Sequence, residues 1–461
     1  MTQSSRQPSS ATTPWYIVAD WVLPVLGPAL PNGGLQVDGS RIGAVFNQPP
    51  HLNPARETSH CLRAMQDPEQ VWLLTPGLIN THAHLELFDP SPVAAGPEQP
   101  MSQWLTGAIE RIQSWEQTEQ ATLSRCHNSL LELIQSGVTT VYDISRNGDS
   151  LTALAALGMR GVVALEYFHP GPLTKENPAT ATNPLKRFSE RYQHLHQTLK
   201  PHNGTGIALH SLAISPHSLY NVSPSAWKWV NHECQPLRIH THLAESQDEL
   251  DFLGLGQAHH PASIHKLSHI HLKVLGKSFP VAWQGNSPVA CLEQAGLLDD
   301  RLTVAHALFT SPLDRQILAD HGVRVAHCPL SNRWIHGHTL RWQDWQSTAH
   351  SNDSPVLALG TDSRLSNLQL DLRAEARAAC QLHGWSEATA LRYASLEGAR
   401  LLGWETHLGG LATGYQADMV LWQCPRNIAD SLATPEAIWL HPATSVQRAW
   451  VNGACVYQGE V

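Results

Sequence analysis

Short apolar runs alternate with helix-like segments through the middle of this 461-residue chain. Such alternation predicts parallel strands, because the crossover between two parallel strands has room for a helix. We predict an α/β fold, a distorted (β/α)8 TIM barrel, in which the active site lies at the carboxyl ends of the strands. The eight predicted strands are 71–80, 137–143, 161–167, 206–210, 237–242, 302–306, 323–327 and 356–362.

The two ends of the chain have a different character. Strand-like runs and Gly- or Asn-containing turns recur at 15–45 and again at 418–457. We therefore predict a small β-sandwich domain formed by residues 14–70 together with 407–461. The barrel would occupy residues 71–406, and the polar segment 1–13 is predicted to be a disordered tail.

Composition narrows the kinds of partner. Hydrophobic residues make up 42% and charged residues 15% of the chain, which is a globular balance. The net charge of −9 disfavours nucleic acid and anionic membranes as partners, and no apolar run reaches the roughly 18 residues of a membrane helix. Eight scattered cysteines without a Cys-x-x-Cys motif are typical of reduced thiols, so we predict a cytoplasmic protein.

The first predicted barrel strand ends in two histidines, His82 and His84. Residues i and i+2 of a strand point to the same face, so both imidazoles can reach one metal ion. The pair alone is weak evidence, because the chain has 28 histidines and several other His-x-His pairs. Its weight comes from His242, His306 and Asp362, which end three other predicted strands.

Three imidazoles and one carboxylate suit Zn²⁺ or Fe²⁺ and leave a position for water, whose pKa the ion lowers toward neutrality. We predict His82, His84, His242 and Asp362 as ligands, with Asp362 also accepting the proton of the water. Glu245 follows His242 by three residues and suits a proton shuttle, although an acid in the first turn of a helix is also common.

Three further histidines complete the candidate list. His306 could polarise the attacked centre or steady the hydroxide. His240 is an alternative ligand to His242, because both lie on one face of the strand; the His-x-x-Glu spacing favours His242. His327 also ends a strand but is predicted to be a bystander.

Several motifs, in this order along the chain, resemble the amidohydrolase superfamily, and within it the cytosine/guanine/adenosine-type deaminase and chlorohydrolase branch. They are PGLINTHAH (76–84), GVTT (137–140), SPHSLYNVS (215–223), HLAES (242–246), AH (305–306), HCPLSN (327–332), LGTDS (359–363) and GYQADMV (414–420). The HLEL form after His82 and the later Trp104 resemble aminodeoxyfutalosine deaminase-like members more than methylthioadenosine deaminases.

The resemblance implies one divalent metal per chain, Zn²⁺ or else Fe²⁺, on the four ligands named above. It also implies catalytic roles for Glu245 and His306, contact with a small-molecule substrate at His217, Glu86 and Trp104, and a homodimer. The segment 254–286 is expected to form a lid or specificity loop.

Three functions remain open at this point. The leading one is hydrolytic deamination of a purine-like or other aza-aromatic amine by a metal-activated water, with release of ammonia. A second is dechlorination, or cleavage of a small amide or cyclic imide, which the same water could perform. The third is an inactive scaffold, which the complete set of candidate residues argues against.

Overall fold

The computed structural model describes residues 14–47, 61–63, 67–96, 99–168, 184–199, 207–255, 283–346 and 356–459. The predicted tail and most of the predicted 254–286 loop lie outside these residues. Contacts divide the chain into two compact units, residues 1–77 with 406–461 and residues 78–405. The boundaries expected from sequence were 70/71 and 406/407.

The secondary structure of the described residues alternates as expected in the middle of the chain. The strands are β1 (Trp15–Val18), β2 (Trp21–Val22), β3 (Leu30–Pro31), β4 (Gly34–Asp38), β5 (Arg41–Phe46), β6 (Cys61–Arg63), β7 (Gln70–Pro76), β8 (Leu78–Ala83), β9 (Val138–Ser145), β10 (Arg160–Tyr167), β11 (His210–Pro216), β12 (Ile239–Leu243), β13 (Leu302–His306), β14 (Arg324–His327), β15 (Leu357–Leu359), β16 (Met419–Pro425), β17 (Ser445–Val451) and β18 (Ala454–Gln458). The helices are Met101–Ser114, Glu119–Gln135, Ser150–Leu157, Pro184–Thr198, Pro224–Glu233, Gln247–Phe252, Pro288–Gln294, Pro312–Asp320, Pro329–His336, Trp342–Gln346, Leu372–His383, Glu387–Ala394, Leu396–Leu401, Arg426–Ala429 and Pro435–Leu440.

The unit made from the chain ends contains two sheets. One has the order β5-β4-β1-β6 and the other β18-β17-β16-β7-β2-β3. Apolar side chains of both sheets form one core, in which Ile17 and Leu35 join Leu74, Met419 and Trp450. Because each sheet buries one face against the other, this unit is a small β-sandwich, as predicted.

The second unit is built on eight parallel strands, which hydrogen-bond in chain order from β8 to β15. A parallel bridge between Ala83 and Asp362 links the last strand region back to the first. The predicted distorted (β/α)8 barrel is therefore confirmed, and the carboxyl ends of its strands lie at one end of the barrel.

The predicted first barrel strand, 71–80, is wrong as a single element. It consists of β7, which pairs antiparallel with β16 in the sandwich, and β8, which pairs with β9 in the barrel. The division falls at Gly77, whose amide donates to the carbonyl of Asp418. A continuous apolar run suits either buried sheet, so its pattern does not reveal that the chain changes partners.

Two other boundaries differ from the prediction. The strand predicted at 206–210 lies at His210–Pro216, because the apolar run continues past His210 and its pairing with β10 selects the later residues. The helix predicted at 102–136 is two helices, since Trp115 is extended and the Thr118 side chain caps the second helix.

Three barrel helices begin with the same local signal. Ser223, Ser287 and Ser311 each precede a proline, and each serine side chain accepts a hydrogen bond from the backbone amide three residues later. The serine satisfies an amide that the helix leaves open, and proline tolerates the first helical position. In the part of the chain that the structure describes, no helix is both long and apolar enough to cross a membrane.

Candidate active site

The barrel strands bring four predicted residues to one point. Backbone amides of Thr361 and Asp362 donate to the carbonyl of His82, at 3.0 and 2.9 Å, so the segment after β15 lies against the end of β8. A Cβ on Gly360 would lie 2.8 Å from the Cβ of His82, so only glycine permits this approach. His242 arrives on β12, next to β13.

The imidazoles and the carboxylate converge. Nε2 of His84 lies 3.2 Å from Nε2 of His242, and Oδ1 of Asp362 lies 3.6 Å from Nε2 of both His82 and His84. One ligand atom each from His82, His242 and His306 also lie within 4.8 Å of one another.

This donor set fits a divalent cation. Nε2 of His82 and Nε2 of His306 are buried and make no hydrogen bond within the described part of the chain. Burial lowers the pKa of His82 and of His84 to about 4 and that of His242 to about 3. All three rings are therefore neutral at pH 7 and keep a lone pair available for a metal ion.

Hydrogen bonds orient the candidate ligands. Nδ1 of His82 lies 3.2 Å from Nε2 of His240, and Nδ1 of His242 donates to the carbonyl of His217 at 3.0 Å. Both contacts leave Nε2 of the ligand facing the cluster. The structure thus brings His242 into the cluster and His240 behind His82. His327 lies elsewhere, with its Nε2 3.0 Å from Nε2 of His383.

Asp362 is held through its second oxygen. The hydroxyls of Ser331 and Ser366 donate to Oδ2 at 2.6 and 2.8 Å, which leaves Oδ1 toward the histidines. Burial raises the pKa of Asp362, but the neighbouring imidazoles, of which His82 has the largest effect, outweigh it, and the pKa lies well below its usual range. The residue adopts a left-handed backbone with φ of 61°, a strained conformation that costs roughly 1–3 kcal/mol and is frequent at functional sites.

Glu245 lies between two histidines. Its Oε1 is 3.7 Å from Nε2 of His306 and 3.8 Å from Nε2 of His336. Burial favours the neutral acid, but the neighbouring imidazoles of His306 and His336 lower the pKa of Glu245 to about 2. Nδ1 of His306 lies 2.8 Å from Oδ1 of Asn332, which accepts its proton. The carboxylate is therefore ionised before substrate binds.

Sequence reasoning did not assign roles to His336, Asn332 or the two serines. Asn332 and Ser331 stand within the HCPLSN motif, so the motif marked the segment without indicating these contacts. His336 ends the helix Pro329–His336, and only the fold brings it to Glu245.

A cavity of about 290 Å³ opens beside the cluster. At one end it is bounded by His84, His242, Glu245, His306 and Asp362. The other end is apolar and is formed largely by one face of the helix Met101–Ser114. Its walls include Leu87, Met101, Trp104, Leu105, Ile109 and Ile112. Trp104 and His217 both line the cavity.

Glu86 is not brought together with these residues. It does not line the cavity; its carboxylate accepts hydrogen bonds from the Ser145 hydroxyl and, at 3.1 Å, from the amide of Arg146. Burial raises its pKa, and the hydrogen bond from Ser145 opposes this effect. In the structure this side chain holds the loop that follows β9.

Glu166, which was not predicted from the sequence, borders the cavity beside His217. Oε1 of Glu166 accepts a hydrogen bond of 2.6 Å from Nδ1 of His217, and both residues line the wall. Burial would raise the pKa of Glu166, but the charge and hydrogen bond of His217 lower it to about 2.

A family model described as "Amidohydrolase family" matches residues 73–456. The chain belongs to the amidohydrolase family, and it is a hydrolase. This confirms the family and the enzyme class that the motifs predicted.

The chain is similar in sequence to two curated deaminases. A 5-methylthioadenosine/S-adenosylhomocysteine deaminase of Desulfitobacterium hafniense (strain DSM 10664 / DCB-2) is 29% identical, over 88% of this chain and 84% of the relative. A 5'-deoxyadenosine deaminase of Methanospirillum hungatei JF-1 is 28% identical, over 81% of this chain and 73% of the relative.

Solved structures show the same fold. An adenosine deaminase of Xanthomonas campestris with bound zinc aligns with a TM-score of 0.73 at 23% identity, covering 96% of this chain and 92% of that one. An aminofutalosine deaminase of Helicobacter pylori aligns with 0.72 at 20% identity, covering 96% and 100%. Atrazine chlorohydrolase of Arthrobacter aurescens TC1 with zinc aligns with 0.70 at 20% identity, covering 95% and 94%.

Proposed function

We propose that this hydrolase is a metal-dependent aminohydrolase that removes the exocyclic amine of a purine-like ring and releases ammonia. The observation that carries the proposal is Glu245, an ionised carboxylate between His306 and His336 at the edge of the imidazole cluster. The names of the sequence relatives support it, because both describe deaminases of adenine nucleosides.

The proposal includes one divalent cation, Zn²⁺ or else Fe²⁺, held by His82, His84, His242 and Asp362. Neutral imidazoles and an ionised carboxylate are the ligands that these ions prefer. When bound, the ion supplies Lewis-acid activation of a water molecule.

The protein's own residues would move the protons. Oδ1 of Asp362 accepts a proton from the attacking water. Before this transfer, the two serine hydroxyls that donate to Oδ2 stabilise the negative charge of the carboxylate. Glu245 takes up the other proton of the water and delivers it to the ring nitrogen next to the attacked carbon, which favours addition at that carbon. Nε2 of His306 steadies the oxygen that adds. Asp362 then passes its proton to the amine, which leaves as ammonia when its carbon–nitrogen bond breaks and the carbon–oxygen double bond forms.

The cavity suits a flat ring with an uncharged face. Its volume of about 290 Å³ is near the lower end of the range for small-molecule sites. Trp104 contributes an apolar wall, and its buried indole N–H makes no hydrogen bond within the described part of the chain. Because Trp104 lines the cavity, we propose that its indole ring packs against the substrate.

Dechlorination is the second candidate, since an atrazine chlorohydrolase shares the fold. The same activated water would displace chloride from an aza-aromatic carbon. The two reactions differ in the product released, so one assay separates them.

The test is product release by the purified, zinc-loaded chain. The panel holds adenosine, methylthioadenosine, S-adenosylhomocysteine, 5'-deoxyadenosine, aminodeoxyfutalosine, guanine, cytosine, a small cyclic imide and a chlorinated triazine. Ammonia, chloride and the loss of each substrate are measured together. We expect ammonia from an adenine nucleoside, about one metal per chain, and no turnover by Asp362→Ala. Chloride alone, or turnover of the imide alone, would contradict deamination. A fully active Asp362→Ala variant would contradict the assigned metal site.

Location and assembly are also proposals. Seven cysteines whose side chains the structure describes are free, which suits a reducing compartment such as the cytoplasm. A homodimer remains a prediction from family resemblance, and light scattering of the purified chain measures it directly.

A further inference from the structure

Glu166 and His217 meet where two neighbouring barrel strands end. Glu166 is the next-to-last residue of β10 and pairs in register with Ser215 of β11, and His217 follows β11 directly. Oε1 of Glu166 lies 2.6 Å from Nδ1 of His217, and their side chains are 5% and 17% exposed. The pair is therefore nearly buried at the wall of the cavity.

The ring of His217 is fixed from three sides. Its Nδ1 donates to Glu166, its ring centre lies 4.5 Å from that of His242, and the ring of Phe168 stacks on it at 4.9 Å. The pair thus lies one ring away from the proposed metal ligands. A substrate whose ring is attacked at the cluster therefore lies within reach of this pair.

Each partner retains one open position. Oε2 of Glu166 and Nε2 of His217 make no hydrogen bond to the described residues, and both residues border the cavity. A carboxylate only accepts hydrogen bonds, and a ligand that closes Oε2 off from water without offering a donor would cost about 1–3 kcal/mol. The group that fills the cavity is therefore expected to supply the donor.

We propose that Glu166 is a specificity-determining residue that accepts a hydrogen bond through Oε2 from a sugar hydroxyl of the substrate, with Nε2 of His217 as its neighbour. This inference rests on the proposed deaminase function and narrows it: the substrate is a ribonucleoside rather than a free base. Vicinal hydroxyls match the pair because they carry two donors side by side.

The test crosses variants with substrates. Zinc-loaded wild type, Glu166→Ala and Glu166→Gln are assayed for ammonia with adenosine, or the best nucleoside of the panel, and with its 2',3'-dideoxy analogue. The matched control is Glu233→Gln, which alters an exposed Glu–His pair with an Oε1–Nδ1 distance of 3.1 Å. Tm reports whether each variant is folded.

A hydrogen bond to a charged group makes the wild type prefer the hydroxylated substrate by about 10- to 150-fold in kcat/KM. Because the hydroxyl is remote from the reacting carbon, the difference should lie mainly in KM. Glu166→Ala should remove most of this preference, Glu166→Gln should retain part of it, and Glu233→Gln should behave as wild type. Equal losses on both substrates would mean a purely structural role and would overturn the proposal.

A separate readout covers failure of the deaminase function itself. If wild type releases no ammonia from any nucleoside, the proposed function is wrong, and ligand-induced Tm shifts then decide the role of Glu166. Stabilisation by the nucleoside that exceeds stabilisation by its dideoxy analogue, and is lost in Glu166→Ala, supports the proposal. Equal shifts, or none with either ligand, overturn it.

Discussion

The carboxylate of Asp362 is oriented by two serine hydroxyls, and removal of either hydroxyl should weaken metal binding. Ser331 and Ser366 donate to Oδ2 at 2.6 and 2.8 Å. Serine to alanine deletes one oxygen and adds no bulk, so the change tests the hydrogen bond itself. We expect Ser331→Ala and Ser366→Ala to bind metal less tightly and to turn over more slowly.

The magnitude follows from the charge on the acceptor. A hydrogen bond to a charged group contributes about 1.5–3 kcal/mol, which is about 10- to 150-fold in affinity. Changes to groups that support a metal ligand typically cost about 10- to 100-fold. We therefore expect each serine to alanine variant to bind Zn²⁺ about 10- to 100-fold less tightly. The double variant should lose more Zn²⁺ affinity than either single variant, because Oδ2 of Asp362 then has neither hydroxyl donor.

The assay is a competition titration of Zn²⁺ against a chromogenic chelator at pH 7, with kcat/KM and Tm measured on the same samples. The control is Ser395→Ala, which removes a fully buried hydroxyl that donates to the carbonyl of Leu391 at 2.6 Å, away from the cluster. It should lower Tm without changing the metal affinity. Unchanged Zn²⁺ affinity in both single variants and in the double variant would refute the reasoning.

Three further predictions concern other parts of the site. Glu245→Gln should still bind metal but have a kcat about 10²- to 10⁴-fold lower, because the amide cannot carry the proton. Metal content and kcat are measured on the same sample, and an undiminished kcat would exclude Glu245 as the proton shuttle. His240→Asn should lower Zn²⁺ affinity about 10- to 100-fold, because Nδ1 of His82 loses its contact with His240, whereas His327→Asn should leave the affinity unchanged. Equal Zn²⁺ affinities of the two variants would contradict the role of His240 in orienting His82. Burial raises the pKa of Glu249 from 4.5 to about 8, so the folded state retains a proton that the unfolded state releases. Stability should then fall as pH rises between those values, by at most about 5 kcal/mol, and level off above. Glu249→Gln should flatten the decline in urea unfolding at pH 5, 7 and 9, and an unchanged slope would assign the decline to other groups.

Much of the fold could be predicted because strand and helix periods are local. Apolar runs separated by helix-length segments indicated the barrel, and motifs at the strand ends indicated the cluster. Errors arose where the same local pattern suits two environments. The apolar run 71–74 would suit the barrel sheet or the sandwich, and only its pairing with β16 assigns it to the sandwich.

The candidate site divides in a similar way. Glu86 and Trp104 were predicted to contact substrate on the same kind of evidence. In the structure Trp104 lines the cavity, whereas the carboxylate of Glu86 holds the loop after β9. The direction of a side chain depends on the elements packed around it, which sequence spacing does not encode.

The sequence by itself determined which chemistry is available: paired imidazoles at the end of one strand, an acid three residues after His242, and an aspartate after the last strand. Tertiary structure alone decided which groups act on one another. Ser331 reaches Asp362, His336 reaches Glu245, and Glu166 reaches His217 across different strands and loops. The physical reason is distance along the chain. Ligand spacing of two or three residues is set by local geometry, whereas hydrogen bonds between segments tens of residues apart exist only once the barrel has closed.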